Sequence, residues 1–488
     1  MDVKEIGNMG KEVAKFLGEF DDCFGRSEPR QHLRTYVGGQ LSNLRRKSIE
    51  PIALDTGVPP RTLQRFLASV RWDEDRMVDR TQWIVARDHP HRQAIGVVDE
   101  TGNPKKGIHT ACVQRQWCGN TGKIDNCVVS VHIAYTAVDF QCLLDSDLYL
   151  PQAWADDRVR RETVGIPADA VYRKKTAIAL DQIGRALGNG IRVAAWTFDE
   201  WYGRDSEFLD GLDALGQSYI GEVPSTFVGW SHQPQILQAS RPQEAHKRGR
   251  KRRYPRLARK ALSASEVRNL LTYSPKFHKQ KWKRFKIKDG ENGPVVWEVK
   301  HAPFYRKHGH TGLPGATHTL IVARNVLNRN EVKYFVSNMV PGANGVSLRW
   351  MLCVAFSRWS VERCFELAKR DMGMDHFETR SWPAIHRHFY ISQLSLLFCS
   401  RVHQRLREKN DRQFVPDRRA SSPRRGHLDR NARFAPVGAN ETLPRNCRTD
   451  QVLPGTEPTC SYLPYKNKGS TTPQSGNQRR PVELLYTR

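Results

Sequence analysis

Residues 94–107, AIGVVDETGNPKKG, run from unbroken apolar character straight into Asp99 and Glu100 and then turn basic at Lys105 and Lys106. A run without polar alternation reads as a strand buried on both faces, which requires a sheet with a packed layer on each side. A second run, IRVAAWTFDE at residues 191–200, also ends in a carboxylate, Asp199. One aspartate after a strand is commonly a cap or turn former. Two invite another reading. If the two strands lie side by side, their ends bring both carboxylates together, and mutual repulsion raises a pKa unless a cation intervenes.

The surrounding periodicity gives the organisation. Residues 1–85 read as helical: Ile49, Ile52, Ala53 and Leu54 precede a Thr-Gly turn, and Leu63, Phe66 and Leu67 follow at helical spacing with Arg61 and Arg65 between them. That pattern suits a helix-turn-helix on DNA or a small helical bundle with a basic exterior. Residues 86–222 read as the first part of an α/β domain, with strands at AIGVVD, HTACVQRQWC and CVVSVHIAYTA, a helix over 171–188, the Asp199 strand, a helix near 205–215 and a strand at SYIGEV. Strands that meander and then alternate with helices predict an α/β fold with a mixed sheet flanked by helices. Residues 223–345 read as a strand-rich basic insertion, in which HKRGRKRRYPRLARK and KFHKQKWKRFKIK mix base with Phe277, Trp282 and Phe285. Residues 346–408 return to helix as the second part of that α/β domain, first over 347–373 and then near 383–407, and 409–488 reads as a disordered tail rich in Arg, Pro, Ser, Asn and Gly.

Lys and Arg outnumber Asp and Glu by 78 to 51, a formal net charge of +27. Such an excess points to a polyanionic partner, because clustered cations release counterions from nucleic acid. No apolar run is long enough to span a bilayer, and MDVKEIGNMGKEVAKFLGEF does not resemble a signal peptide, so the expectation is a cytoplasmic protein without membrane association. The ten cysteines form no Cys-x-x-Cys pair and no metal spacing, which argues against a zinc knuckle or a disulfide framework.

A third acid is available in FSRWSVERCFELAK. Arg358, Glu362, Phe365, Glu366 and Lys369 share a helix face, and an ordinary ladder of salt bridges would explain them in isolation. Beside Asp99 and Asp199, however, that face offers the carboxylate that completes an oxygen-rich site for Mg2+. Two such ions suit phosphoryl transfer on DNA, activating a water or 3'-hydroxyl on one side of a phosphodiester and stabilising the leaving oxygen on the other. Arg358 and Lys369 would hold phosphates nearby, with Lys105, Lys106 and Trp282 as further DNA contacts.

These residues carry a resemblance. VVDETGNPKKGIHTACVQRQWCGNTGKIDNCVVSV, TFDEWYGRDSEFLDGL and RWSVERCFELAKRDMGMDHFETRSW resemble the three acid blocks of the DDE transposases of bacterial insertion sequences, over about residues 30–405. The resemblance implies a ribonuclease-H-like catalytic domain with acids on the first strand, after the fourth strand and on a late helix. It also implies that Asp99, Asp199 and Glu362 are catalytic and hold two Mg2+ ions, with Mn2+ able to substitute. Within the subgroup bearing a Tyr-Arg-Glu-Lys signature, Arg four residues before the glutamate and Lys seven after it select Glu362 over Glu366, while the expected Tyr is replaced by Ala355 beside Phe356. The implied reaction is cleavage at the ends of an insertion sequence followed by joining of the 3'-hydroxyl to target DNA. The implied partners are double-stranded DNA, both terminal repeats and target, and further copies of the chain in a synaptic complex, nucleoid-associated when on DNA. In related transposases the insertion handles a hairpin or an extruded base, which makes Trp282 or Trp297 candidates for stacking, although Trp297 in VVWEV suits packing in a sheet.

Two other readings were weighed. Asp-x-Thr-Gly also occurs in phosphorylated cation pumps, which need membrane helices and a nucleotide site, and GNTGKI is too short between its glycines to be a P-loop. A DNA-binding protein without catalysis, domesticated or defective, would keep the charge and the helical N-terminus but has no reason to keep all three acids.

Overall fold

The computed structural model describes residues 3–239, 253–290 and 293–414. The stretch KRGRKR within the basic run at 246–260 and most of the expected tail, 415–488, lie outside the described residues.

Five helices come first: α1 (Val3–Gly18), α2 (Ser27–Leu41), α3 (Ile49–Asp55), α4 (Pro60–Ala68) and α5 (Glu74–Asp88). The expected apolar stripe is buried at Ile49, Ile52, Ala53, Leu63, Phe66 and Leu67, but Leu54 points to solvent, 67% exposed. Its place one residue after Ala53 puts it off the stripe that α3 buries. Between α3 and α4 the chain turns at Gly57, whose φ of +68° is left-handed and favours glycine.

The central sheet then begins with β1 (Ile95–Pro104), β2 (Gln114–Cys118), β3 (Lys123–Thr136) and β4 (Gln141–Leu148). Two expectations need correcting. First, the strand does not end at Asp99: β1 continues to Pro104 because Thr101 to Pro104 go on pairing with Ser130 to Cys127 of β3. What ends there is the other neighbour. The parallel partner β5 (Ala195–Phe198) pairs β1 only from Ile95↔Ala195 to Val97↔Thr197. Asp99 thus sits where β1 loses one side of its ladder. Second, the meander has a strand that hydropathy hid. The third long strand is β4, QCLLDSDL, a segment left unassigned between the expected strand CVVSVHIAYTA and the helix over 171–188. Asp145 is fully buried, which pushes its pKa up to about 7. Asp147 is matched by Arg173 at 2.6 Å and His386 at 2.9 Å. β2 is only a short edge piece paired with the start of β3.

After β4 come α6 (Gln152–Ala155), α7 (Arg158–Val164), α8 (Lys175–Gly188), β5, α9 (Glu200–Gly203), α10 (Ser206–Ala214) and β6 (Tyr219–Val223). The order β4-β3-β1-β5-β6, with β1, β5 and β6 mutually parallel and β3 antiparallel, is that of a ribonuclease-H-like sheet.

The strands of the expected insertion do not make a separate sheet. They are β7 (Val228–Trp230), β8 (Ile236–Leu237), β9 (Arg256–Leu257) and β10 (Ser265–Glu266), then, after α11 (Val267–Tyr273) and α12 (Pro275–His278), β11 (Lys283–Gly290), β12 (Gly293–Lys307), β13 (Pro314–Asn325) and β14 (Val332–Ser337). β14 pairs antiparallel with β6, so all of these but the small β8-β9 pair extend the central sheet in the order β10-β7-β12-β13-β14-β6, with β11 on β12.

The expected helix over 347–373 is two: α13 (Leu348–Ala355) and α14 (Trp359–Arg370), broken at Phe356 to Arg358. Phe356 packs on Trp297 with ring centroids 4.8 Å apart and on Phe335 at 5.4 Å, contacts that turn the chain before α14 begins. α15 (Trp382–Phe414) follows and is longer than expected. It lies against β4 and against α2, α4 and α5. The N-terminal helices are stitched to it by Tyr36 Oη to His388 Nδ1 at 2.9 Å and by Gln40, which bonds Ser392 and Ser395. Lys47 Nζ donates to the carbonyls of Gln40, Ser42 and Asp371, tying the end of α2 to the end of α14.

Candidate active site

Asp99 and Asp199 each stand two residues beyond the last β1-β5 pair, Val97↔Thr197, so the two aspartates are level at the opening between the strands. Gly96 makes that closeness possible: a Cβ there would meet the Trp196 ring at 2.3 Å. Asp99 shares its face of β1 with Val97, which packs in the same core cluster as Val361, Phe365 and Ala368 of α14. The helix therefore covers the face from which Asp99 projects.

Asp99 is 8% exposed, and burial is the main reason its pKa is pushed up to about 7; Arg358 opposes the shift and Asp199 adds to it. Its Oδ1 accepts from the Glu100 backbone N–H at 2.8 Å and its Oδ2 faces Arg358 Nη1 at 3.2 Å. Arg358 Nη2 reaches Glu362 Oε1 at 3.0 Å, so one guanidinium bridges the strand acid and the helix acid. Asp199 caps α9, its Oδ1 accepting from the N–H groups of Trp201 at 3.0 Å and Tyr202 at 3.2 Å. The cap reading and the site reading are both satisfied by this one residue. Lys369 Nζ donates to Thr101 Oγ1 at 2.6 Å and to Asn120 Oδ1 at 2.7 Å. Glu366 pairs with Arg370 at 3.0 Å, outside this set.

The structure thus brings together Asp99 and Asp199, with Arg358 linking Asp99 to the exposed Glu362 and Lys369 bonded two residues further along β1 at Thr101. The remaining candidates lie elsewhere. Lys105 Nζ donates to the Phe377 carbonyl at 2.9 Å and sits 3.4 Å from the Phe377 ring centroid, and burial pulls its pKa down to about 8. Lys106 is exposed. Trp282 is flanked by Lys300, 4.8 Å from its ring centroid, and Arg324 at 4.1 Å. Trp297 is buried, as its strand context suggested.

Sequence reasoning missed a layer on the opposite face. Glu100 alternates away from Asp99 and meets Lys175 Nζ at 2.8 Å. Lys175 in turn lies over the rings of Trp201 and Tyr149. Tyr202 is fully buried next to these acids, with its hydroxyl unbonded. The only sequence signal was the Glu in Asp-Glu-Thr-Gly, a second carboxylate on a strand buried on both faces.

Among the described residues no three His, Cys, Asp or Glu side chains close into a metal-ligand set. Asp99 and Asp199 nonetheless suit a divalent cation in donor type and charge, being hard oxygen donors at one opening, with the ionisation of Asp99 suppressed chiefly by burial and further by Asp199. Glu362 is exposed and held by Arg358.

None of the eight cysteines among the described residues is in a disulfide. No helix among the described residues is long and apolar enough to cross a membrane.

Comparisons with known proteins place the chain in a family. The chain is 30% identical over 191 residues to the "Probable transposase for insertion sequence element IS701" of Microchaete diplosiphon, a match covering 38% of this chain. The chain spans about half of that relative, 47% of its length. A piggyBac transposase synaptic complex with hairpin DNA aligns over 84% of this chain and 78% of its own at 9% identity, with a TM-score of 0.33, a likeness too slight to add to the argument. A family model described as DDE superfamily endonuclease matches residues 19–294, taking in both Asp99 and Asp199 and ending before Glu362. With more than half of its length matched, the chain belongs to the DDE superfamily endonucleases.

Proposed function

We propose that this protein is an insertion-sequence transposase, cleaving DNA at the ends of its element and joining the freed 3'-hydroxyl ends to target DNA. The observation that carries the reading is the level placement of Asp99 and Asp199 on adjacent parallel strands, facing a helix that supplies Arg358 and Glu362. In this proposal Asp99 and Asp199, joined by Glu362, hold Mg2+, with Mn2+ as a substitute. The bound ions would lower the pKa of the attacking water or 3'-hydroxyl and stabilise the leaving oxygen. The chain's own part is to fix direction and charge. Rigid strands aim the two aspartates better than loops would, and Arg358, released from Asp99, is free to meet a phosphate oxygen. Lys369, anchored by Thr101 and Asn120, adds a second cation along the same face. The α3-turn-α4 unit, with Arg61 and Arg65 exposed on α4, is proposed as a duplex-binding region. A multimeric synaptic complex is proposed with it.

One observation favours a second reading, a DNA-binding protein without catalysis: Glu362 is held by Arg358, and no three acids converge among the described residues. Excision from a donor plasmid carrying the native flanking DNA separates the two. Wild type should excise and Asp199→Asn at matched expression should not. If neither protein excises while both bind the ends, the silent reading replaces the transposase.

A further inference from the structure

The β2-β3 hairpin carries an apolar pair that the site described above does not use. Trp117 and Ile124 are directly opposite in the β2-β3 register, and they are 59% and 61% exposed. Single exposed apolar residues are ordinary. This is a cross-strand pair on the short edge strand of the sheet, where exposed apolar surface invites aggregation and is usually blunted by charge.

Its position follows from register. Along β3, His132, Ser130, Val128, Asn126 and Ile124 alternate onto one face. They lie opposite Asp99, Thr101, Asn103, Arg115 and Trp117 in turn. Trp117, Ile124 and Arg115 therefore project from the same face as Asp99. Val128 is still under the core cluster of α14, and beyond it the face emerges into solvent. The hairpin's turn is tied to α14, because Asn120 accepts a hydrogen bond from Lys369. Arg115 is exposed beside the pair on this face, whereas Lys123 alternates to the other face and lies 3.8 Å from Asp125.

We propose that this hairpin is a DNA-contacting surface, with Trp117 packing against a base next to the cleaved phosphate and Ile124 supporting it. The inference rests on the transposase reading above. The charges favour DNA over a second copy of the chain: Arg115 flanks the apolar pair and Lys369 holds the hairpin's turn, on a protein of net charge +27, whereas a like-charged partner would be repelled. Apolar side chains framed by cations are how proteins engage bases while neutralising the adjacent backbone.

The test uses the full chain and duplexes of its own flanking DNA carrying 2-aminopurine at successive positions around the end. Wild type should change the emission at one or two positions next to the cleavage point. Trp117→Ala should lose that change and weaken end binding about 5- to 100-fold, Ile124→Ser should reduce it, and Trp117→Phe should restore it, all with unchanged melting temperature. Emission that is the same in wild type and Trp117→Ala overturns the inference and leaves the transposase reading intact. A change of sedimentation in Trp117→Ala without DNA, its emission profile matching wild type, assigns the surface to a second copy instead. Failure of wild type to bind the ends at all overturns both.

Discussion

Asp99 is the residue at which packing and function conflict most openly. Its carboxyl is pushed up to about 7, above the ordinary value near 3.8, chiefly by burial and further by Asp199, with Arg358 only partly offsetting them. A folded pKa above the unfolded one means that the native state binds the proton more tightly. The stability this confers is present in full below about pH 4 and is lost as pH rises through about 7. In chelator, Asp99→Asn should therefore melt higher than wild type at pH 8, with the advantage shrinking toward pH 4. Thermal melts across that range check it; an advantage that does not depend on pH would place the burial cost elsewhere. Asp99 and Asp199 were legible in the sequence because an apolar run cannot hide a terminal carboxylate. The roles of Glu100, Lys175 and Tyr202 were not, since they depend on which face of β1 meets α8 and α9.

At the scale of elements, the contact between β1 and β5 sets the spacing of the two acids. Gly96 lies under Trp196, so an added methyl must push the strands apart or displace the indole. Gly96→Ala should cost about 1–3 kcal/mol by overpacking and lower DNA cleavage further than its stability loss explains, although it touches neither acid. Denaturant unfolding together with cleavage rates measured well below the melting temperature would show this; a variant with wild-type rates would mean that strand spacing is not critical. Hydropathy found β1, β3, β5, β6, α8 and α10, and left α6, α7 and α9 unassigned. It missed β4 because Asp145 and Asp147 are compensated by partners distant in the chain, Arg173 and His386 for Asp147. It also ran α13 and α14 together, since the break at Phe356 is made by tertiary contacts with Trp297 and Phe335.

For the molecule as a whole, the segments that composition separated are physically joined. The strands of residues 223–345, apart from the β8-β9 pair, complete the same sheet as the site, and α2, α4 and α5 pack on α15. Lys47 binds three carbonyls at the junction of α2 and α14, and its removal leaves them without their donor. Lys47→Met should cost about 2–4 kcal/mol and lower the single unfolding transition of helices and sheet together. Calorimetry resolving a separate transition for the N-terminal helices would contradict that unity. Charge patterning pointed to a polyanionic partner, but the unity was invisible in sequence, because helical periodicity marks an apolar stripe without naming what covers it.

The central claim is that Asp99, Asp199 and Glu362 act as one set on DNA. Its most direct test is cleavage of a labelled element end in Mg2+ by wild type, Asp99→Asn, Asp199→Asn and Glu362→Gln, with end binding measured in parallel. Each variant should bind the end and lose about 10^3-fold or more in cleavage, and the double variants should be no worse than the single ones, as for groups acting as a unit. Glu362→Gln cleaving at the wild-type rate would contradict the claim, leaving Glu362 as no more than the surface partner of Arg358.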